Sequence, residues 1–304
     1  MTDHSDATVL TELSNALANA VEKAAESIVT VKARRRLPGS GVAWAADVIV
    51  TANHIVERDE DITMGLPDGT EKTATLVGRD QGSDLAVLRL AGGSLTPAER
   101  APDGSARVGH MVLAVGRPSS DGPTASSGVI SVVGGPWRSF AGAQVEGYIR
   151  ADLTLYPGFS GGPLVDSAGR VVGINSSHLG RGAGLSLPIN AVSRITDALL
   201  KGGRIKRGYL GIGNQPVRLP AGLAERVGGQ ESGLLIVSVE AGTPADKAGL
   251  LVGDIVISLG GNKVQDTDDL QNALGPESVG KTEKLGVLRG GEPTELSITI
   301  GERS

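Results

Sequence analysis

Short apolar segments separated by glycine-rich turns run from residue 28 to residue 174, and they constrain the fold more than any other feature of the sequence. Glycine makes up 45 of the 304 residues, and it allows the backbone to reverse where other residues would be strained. Many short strands joined by such turns are typical of a β-barrel or a β-sandwich. The predicted strands are Ile28–Val31, Val48–Val50, Leu85–Leu90, Val112–Val115, Val129–Val133, Gly162–Val165 and Val171–Ile174.

The chain is predicted to divide into four parts. Residues 1–27 form an N-terminal helical segment, because their apolar side chains recur at helical spacing. This helix is expected either to dock on the body of the protein or to serve as a contact between copies. Residues 28–201 form the β-rich domain, and residues 202–208 form a basic, glycine-containing linker. Residues 209–304 combine strand patterns with two helical patterns, which predicts a small β-sheet domain with two helices.

One serine lies in a loop whose composition suits a nucleophile. Ser160 stands between Gly158 and the pair Gly161–Gly162, and a short apolar strand follows. The glycines permit a sharp turn, and they leave the N–H groups of Gly158 and Ser160 available to stabilise a developing oxyanion. A turn serine without chemistry would also fit this loop, so the hypothesis depends on the partners of Ser160.

A histidine and an aspartate occur where such a serine would need partners. His54 comes shortly after the strand pattern Val48–Val50, and an imidazole can accept a proton near neutral pH. Asp84 precedes a second strand and would hold the imidazole in one tautomer, with Asp80 as its nearest rival. The order His54, Asp84, Ser160 is that of a chymotrypsin-like catalytic triad.

The sequence resembles the HtrA/Deg family of trypsin-like serine proteases, which carry a C-terminal PDZ domain. The matching segments are Thr51–Val56 (TANHIV), Ser83–Leu88 (SDLAVL), Pro157–Gly162 (PGFSGG) and Gly184–Asn190 (GLSLPIN). The resemblance implies a mostly β protein, with a chymotrypsin-like double β-barrel followed by a PDZ domain. It implies a serine endopeptidase of protein quality control that cleaves unfolded or damaged proteins. It also implies a homo-oligomer, with a trimer as the favoured state.

Four residues are expected to shape the substrate pocket. Thr154 takes the pocket-base position six residues before the serine, where an acidic residue would select Lys or Arg. The pocket is therefore expected to accept a small apolar side chain. Ile174, Asn175 and Ser176 are expected to form the pocket wall and the strand with which the substrate pairs.

Phe159 departs from the family, which commonly has Asn before the serine, and we expect its ring to change how the loop packs. The chain has only two Trp, three Tyr and two Phe. Five of these are Trp137, Phe140, Tyr148, Tyr156 and Phe159. They are expected either to be ordinary core residues or to form one cluster that joins the loop after Trp137 to the serine loop.

The segment Tyr209–Ile212 resembles the carboxylate-binding loop of PDZ domains. We expect the N–H groups of Leu210, Gly211 and Ile212 to bind the carboxylate of a C-terminal peptide, which would add to the sheet as a strand. The alternative is a glycine-containing start of a strand that binds nothing.

A second function fits the same sequence, and composition excludes several others. The protease domain could be latent, and the protein would then act as a peptide-binding or chaperone-like protein. The net charge of −5 argues against a nucleic-acid partner. Cysteine is absent, which excludes disulfides and zinc–thiolate sites, and no metal-ligand or phosphate-binding motif predicts a cofactor.

The sequence bears on localisation through two missing patterns. The sequence contains no run of about 18 apolar residues, so it predicts no membrane-spanning helix. The first 27 residues lack the pattern of a signal peptide. The sequence as given therefore predicts a cytoplasmic protein, or an extracytoplasmic one if the chain is a mature or trimmed form.

Overall fold

The computed structural model describes residues 3–139, 144–180 and 184–302. It divides the chain into two compact units, Met1–Ile205 and Lys206–Ser304. The first unit contains two closed barrels of six strands each, and the second contains a smaller sheet. The expected mostly β fold with a double β-barrel is confirmed.

Helix α1 (Asp3–Ala25) precedes the barrels, and its two halves differ. Its C-terminal half packs against the core of the unit through Leu17, Ala20, Val21 and Ala24. Nearer its start, three apolar side chains are exposed, namely Val9, Leu10 and Leu13. The second half therefore docks on the body, whereas a contact between copies through the first half stays a prediction.

The first barrel consists of antiparallel strands in the order β1-β2-β3-β6-β5-β4. The strands are β1 (Ile28–Lys32), β2 (Gly39–Ala43), β3 (Val48–Ala52), β4 (Ile62–Gly65), β5 (Glu71–Asp80) and β6 (Leu85–Leu90). A 3-10 turn, Asn53–Ile55, follows β3.

Strands β3 and β6 are apolar almost throughout because both of their faces are covered. Ile49 and Leu88 point into the first barrel, where they belong to its aliphatic core. Their neighbours Val50 and Val87 belong instead to the core that the two barrels share. Successive side chains of a strand point to opposite faces, so each strand serves two cores.

The second barrel has the order β11-β14-β13-β12-β7-β8. Its strands are β7 (Met111–Ser119), β8 (Gly122–Gly134), β11 (Tyr148–Asp152), β12 (Pro163–Asp166), β13 (Val171–Ser176) and β14 (Leu185–Pro188), with a small ladder of β9 (Trp137–Arg138) and β10 (Gln144–Val145) beside them. Helix α2 (Ile189–Gly202) follows the barrel. The residue that follows its last turn is Gly203, whose φ of +70° is a left-handed conformation that suits glycine at a helix C-terminus.

The second unit is a sheet in the order β16-β17-β18-β20-β21, so β16 is an edge strand. Its elements are β15 (Gly208–Tyr209), β16 (Ile212–Arg218), α3 (Ala221–Arg226), β17 (Ser232–Val239), α4 (Pro244–Lys247), β18 (Ile255–Leu259), β19 (Asn262–Lys263), α5 (Thr267–Ala273), a 3-10 turn (Pro276–Ser278), β20 (Thr282–Arg289), β21 (Glu292–Thr299) and β22 (Gly301–Glu302). Leu234, Val256, Leu270 and Leu285 are among the residues of its separate apolar core.

Candidate active site

The side chains of His54 and Asp84 meet at one end of the first barrel. His54 lies in the turn after β3, and Asp84 directly precedes β6. Because β3 and β6 are neighbours, with Ala52 opposite Leu85, the two loops start side by side. His54 Nδ1 lies 2.7 Å from Asp84 Oδ2, and both side chains are largely buried. This contact fixes the proton on Nδ1 and leaves Nε2 able to accept one.

Asp84 adopts a backbone conformation that is uncommon for a residue with a side chain. Its φ is +55°, in the left-handed region that Asp tolerates better than most residues. The backbone N–H of His54 donates to Asp84 Oδ1 at 2.9 Å, and the N–H of Asn53 donates to the Asp84 carbonyl at 2.9 Å. The strained turn therefore binds both carboxylate oxygens to the His54 loop. The rival Asp80 accepts the N–H of Ser83 at 2.9 Å.

Ser160 reaches the same place from the second barrel, at the loop that precedes β12. Its hydroxyl lies 3.0 Å from the hydroxyl of Ser177 and accepts the Ser177 N–H at 3.2 Å. In the part of the chain that the structure describes, no hydrogen bond joins the Ser160 hydroxyl to His54. Catalytic hydrogen bonds are often formed only when substrate is bound, so this resting geometry is compatible with a nucleophile.

The segment Ser176–His178, at the end of β13, contacts all three residues of the predicted triad. Ser176 donates to Asp84 Oδ2 at 2.5 Å, and Ser177 binds the hydroxyl of Ser160. The ring of His178 stacks on that of His54, with centroids 3.9 Å apart and planes 20° apart. Sequence reasoning did not single out Ser177 or His178, and their closeness in sequence to Asn175 was the only available signal.

His178 is exposed to solvent on one side and faces charged groups on the other. Partial burial and the adjacent His54 both lower the pKa of His178 below its ordinary value, and Arg34 lowers it further. Asp84 opposes this shift, but not enough to reverse it. A neutral His178 is therefore favoured beside His54 at neutral pH.

The loop before Ser160 forms a tight turn that leaves two N–H groups unpaired. Phe159 N–H donates to the Tyr156 carbonyl at 3.0 Å, and Gly158 has a φ of +90°, as the third residue of a type II turn requires. Among the described residues, neither the Gly158 N–H nor the Ser160 N–H has a hydrogen-bond partner. Two unpaired donors beside a serine hydroxyl are the components of an oxyanion hole.

Phe159 is fully buried in the core of the second barrel, together with Ile130, Ile149 and Leu164. The aromatic side chains form two separate edge-to-face pairs, Trp137 with Tyr148 and Tyr156 with Phe159, with centroids 5.7 and 5.5 Å apart. The fifth aromatic residue of the expected cluster, Phe140, lies outside the described residues. Phe159 thus anchors the serine loop by apolar packing.

The predicted pocket residues do not all lie in one place. Thr154 is exposed, and its carbonyl accepts the Ser126 hydroxyl at 2.5 Å. Ile174 and Asn175 are buried, and Ile174 belongs to the core that the two barrels share, so a pocket wall formed by these residues stays a prediction.

Asn175 acts as a support for the nucleophile loop. Its N–H donates to the Gly162 carbonyl at 2.9 Å, and its carbonyl accepts the Gly161 N–H at 2.8 Å. Its side chain donates to the Pro163 carbonyl at 2.8 Å and accepts the Ser186 hydroxyl at 2.7 Å. Of the three predicted wall residues, Ser176 alone contacts the triad side chains.

In the second unit, residues 210–212 lead into the edge strand β16. Gly211 has a φ of +80°, and a Cβ there would lie 2.3 Å from Thr243. The Glu240 N–H donates to the Gly211 carbonyl at 2.9 Å, while Ile212 lies opposite Val239. This pattern makes Ile212 and Val239 a non-hydrogen-bonded pair, so the Ile212 N–H points to the open edge.

Two negative findings hold for the described residues. No group of three or more His, Cys, Asp or Glu side chains could hold a metal ion. None of their helices combines the length and the apolar character that crossing a membrane requires.

Comparisons with known proteins match both units of the chain. Two family models match the chain, a trypsin-like peptidase domain over residues 39–174 and a PDZ domain over residues 208–300. A relative from Rhizobium meliloti (strain 1021), named probable periplasmic serine endoprotease DegP-like, is 36% identical over 276 residues, which cover 88% of this chain and 54% of the relative. The chain thus spans about half the length of the curated relatives it matches.

Solved structures match over nearly the whole chain. The HtrA-type protease AlgW with a tripeptide is 31% identical, with a TM-score of 0.74, over 95% of this chain and 97% of that chain. The serine endoprotease from Yersinia pestis is 28% identical, with a TM-score of 0.77, over 95% of this chain and 98% of that chain.

Proposed function

The chain belongs to the HtrA/Deg family of serine proteases with a PDZ domain, and we propose that it is a serine endopeptidase whose triad is His54, Asp84 and Ser160. The observation that carries this proposal is the buried 2.7 Å contact between His54 Nδ1 and Asp84 Oδ2, next to a serine loop with two unpaired N–H groups. A hydroxyl needs a base to become a nucleophile, and this contact presents the imidazole in the tautomer that can act as one.

In the proposed reaction, Ser160 Oγ attacks the carbonyl carbon of the scissile bond and transfers its proton to His54. The carbonyl oxygen becomes an oxyanion, which the N–H groups of Gly158 and Ser160 stabilise. Asp84 stabilises the imidazolium that His54 then becomes. The imidazolium gives its proton to the leaving amine, and water repeats the sequence on the acyl-enzyme.

We propose unfolded or damaged proteins as substrates, in line with the family resemblance. An extended, unfolded segment could pair as a strand along the segment that begins at Ser176. Thr154 supplies no acidic group to the pocket base, so cleavage after small apolar residues is expected. Mass spectrometry of the products of an unfolded protein tests this, and cuts mainly after Lys or Arg would contradict it.

The experiment that tests the peptidase proposal combines labelling with cleavage. A fluorophosphonate probe should label the wild-type protein at Ser160, and casein should be cleaved. Ser160→Ala should lose both, because removing the nucleophile of a triad lowers turnover by about 10⁶. Ser193→Ala is the matched control, since Ser193 also uses its hydroxyl in a bond, to the Ile189 carbonyl, but lies in α2. Cleavage by Ser160→Ala at wild-type rates would contradict the proposal.

The alternative, a latent protease that acts as a peptide-binding or chaperone-like protein, is favoured by one observation. The Ser160 hydroxyl is bonded to Ser177 and not to His54 in the described residues. If this arrangement persists with substrate, Ser160 would not react with the probe while peptides still bind. Labelling of the wild type therefore decides between the two functions.

We further propose that the second unit binds C-terminal peptides at Leu210, Gly211 and Ile212. The outward N–H of Ile212 and the open edge of β16 support this, because an added strand needs such donors. Titration with a peptide ending in Val should give tighter binding than titration with its C-terminal amide. Equal affinities would contradict carboxylate capture by this loop. A homo-oligomer, with a trimer first, also remains a proposal from the family resemblance, and light scattering tests it.

A further inference from the structure

We infer that Ser40 is a positioning residue of the oxyanion loop, through a hydrogen bond that crosses from the first barrel to the second. This inference rests on the proposed peptidase function, and it concerns a residue outside the triad and outside the loop itself. Ser40 lies in β2 and is fully buried, so solvent cannot replace its hydrogen bonds.

The direction of the Ser40 hydroxyl is fixed by its two neighbours. Its oxygen accepts the backbone N–H of Arg117 at 2.8 Å, and an N–H can only donate. The single hydroxyl proton is then left for the Gly158 carbonyl, 2.7 Å away. The Ser40 hydroxyl therefore donates to the Gly158 carbonyl, and the bond that it accepts from the Arg117 N–H fixes its direction.

The side chain of Arg117 is itself fixed by hydrogen bonds to two backbone carbonyls. Its buried guanidinium donates to the Ala25 and Ile28 carbonyls at 3.2 and 3.0 Å. Because carbonyls satisfy it without a carboxylate, burial lowers the pKa of Arg117 from its ordinary value. The strand β7 that presents the Arg117 N–H to Ser40 is thereby tied to the end of α1 and the start of β1.

Ser40 also binds the loop through its backbone. Its N–H donates to the Ser160 carbonyl at 3.1 Å, and its own carbonyl accepts the Thr51 hydroxyl at 2.7 Å. One residue of the first barrel thus contacts the loop at both Gly158 and Ser160, which carry the two proposed oxyanion donors.

The peptide groups of the loop differ in how they are held. The group between Gly158 and Phe159 is fixed at both ends, by Ser40 on its carbonyl and by the Tyr156 carbonyl on its N–H. The preceding group, between Pro157 and Gly158, has no hydrogen bond among the described residues, and it carries one of the two donors. Since glycine rotates easily, the direction of that donor depends on the fixed group that follows it.

Loss of the Ser40 hydroxyl should therefore disorder the donors without touching the triad or the substrate pocket. It would leave the Gly158 carbonyl buried and unpaired, and rotation of the Gly158 peptide groups would relieve this. Removing an oxyanion donor outright costs about 10²–10³ in turnover. Loss of a residue that only aims the donor should cost less, about 10- to 100-fold in kcat, with KM nearly unchanged.

The test compares wild type, Ser40→Ala, Ser40→Cys and the control Ser193→Ala, all assayed well below their melting temperatures. Steady-state kinetics on a peptide substrate gives kcat and KM. The affinity for a peptide aldehyde gives a readout that a merely structural role would not move. Ser160 Oγ adds to the aldehyde carbon, its proton passes to His54, and the carbonyl oxygen becomes an oxyanion. The unreactive peptide alcohol of the same sequence measures ordinary binding.

Ser40→Ala should bind the aldehyde more weakly by the factor lost in kcat and bind the alcohol like wild type. Ser40→Cys has a weaker donor, so its affinity for the aldehyde should lie between those of Ser40→Ala and wild type. Ser193→Ala should match wild type. If Ser40→Ala does not fold, Ser40→Cys decides. A wild-type kcat in the folded variants would overturn the inference about Ser40 and leave the proposed peptidase function standing. A wild type that neither cleaves nor reacts with the aldehyde would contradict the proposed function and the inference with it.

Discussion

The two halves of the candidate site are held together in different ways. The half from the first barrel, His54 and Asp84, is a direct pair of side chains, and the backbone N–H of His54 also donates to the Asp84 carboxylate. The half from the second barrel is a loop in which Ser160 is placed by glycines, by the buried ring of Phe159 and by bonds to Ser40 and Asn175. The proposed base is thus positioned by its own partner, whereas the proposed nucleophile is positioned by residues that have no proposed part in the chemistry.

If the first half works as a pair, Asp84→Asn should have the largest effect on turnover. An uncharged amide can neither fix the His54 tautomer nor stabilise its imidazolium, and kcat should fall about 10⁴-fold. Asp47→Asn is the control, because Asp47 lies in the same barrel and pairs with Arg89 at the surface. Steady-state kinetics on a peptide substrate measures both, and a loss below tenfold for Asp84→Asn would remove the distinction between the halves.

If the second half depends on close backbone packing, Gly161→Ala should be the next most damaging change. A Cβ at Gly161 would lie 2.1 Å from the Ser40 carbonyl, and its φ is +83°. Gly69 has the same φ, but a Cβ there would have nothing within 4 Å. Gly161→Ala should cost about 3–5 kcal/mol of unfolding free energy and most activity, against about 1–2 kcal/mol for Gly69→Ala. Denaturant unfolding should separate the two variants; equal losses would show that crowding has no role.

Replacing Phe159 tests whether apolar packing holds the serine loop. Phe159→Asn removes a fully buried ring and buries an amide, so about 3–5 kcal/mol of stability should be lost. Turnover should fall because the loop loosens, and the bonds cleaved should stay the same because the ring lies in the barrel core. Phe159→Leu, which keeps an apolar side chain, should retain most of both properties. Unchanged turnover in folded Phe159→Asn would mean that the ring is not needed to place the nucleophile.

The smallest expected effect concerns His178, which lies between the halves. Its pKa is below the ordinary value in the folded protein, so the unfolded state binds a proton first as pH falls. The stability it contributes is present above about pH 6.5 and is lost as pH falls below that value. The melting temperature of His178→Phe should fall by about 1 °C less than that of wild type as the pH is lowered. The difference is small because the His178 ring is exposed. His110→Asn is the control, and identical pH profiles for wild type and His178→Phe would contradict the prediction.

The sequence predicted the strands that bury aliphatic residues on both faces, and Leu85–Leu90 coincides with β6. It missed β2, whose sequence GSGVA has two glycines and little apolar signal. Those glycines are required by space, since a Cβ on Gly39 would lie 2.6 Å from Ile55 and one on Gly41 would lie 2.8 Å from Ile49. Because such crowding depends on residues distant in sequence, β2 and its Ser40 could not be recognised from local pattern.

The same limit applies to the site. The residues of the proposed triad could be predicted because each sits in a local motif, and the structure brings His54 and Asp84 into contact. The support by Asn175 and the stacking of His178 depend on how strands of the second barrel register with the serine loop, which no local motif records. The burial of Ile174 in the shared core also depends on contacts between the barrels, and its role as a wall residue stays a prediction.

The edge strand β16 has a further consequence for the second unit. An open strand edge is a template on which other chains can stack, and long, unprotected edges favour aggregation. Pro216 lies within β16, opposite Leu234, and proline has no N–H to offer. Pairing along this edge therefore lacks a donor at Pro216, which favours a short added strand over a growing sheet.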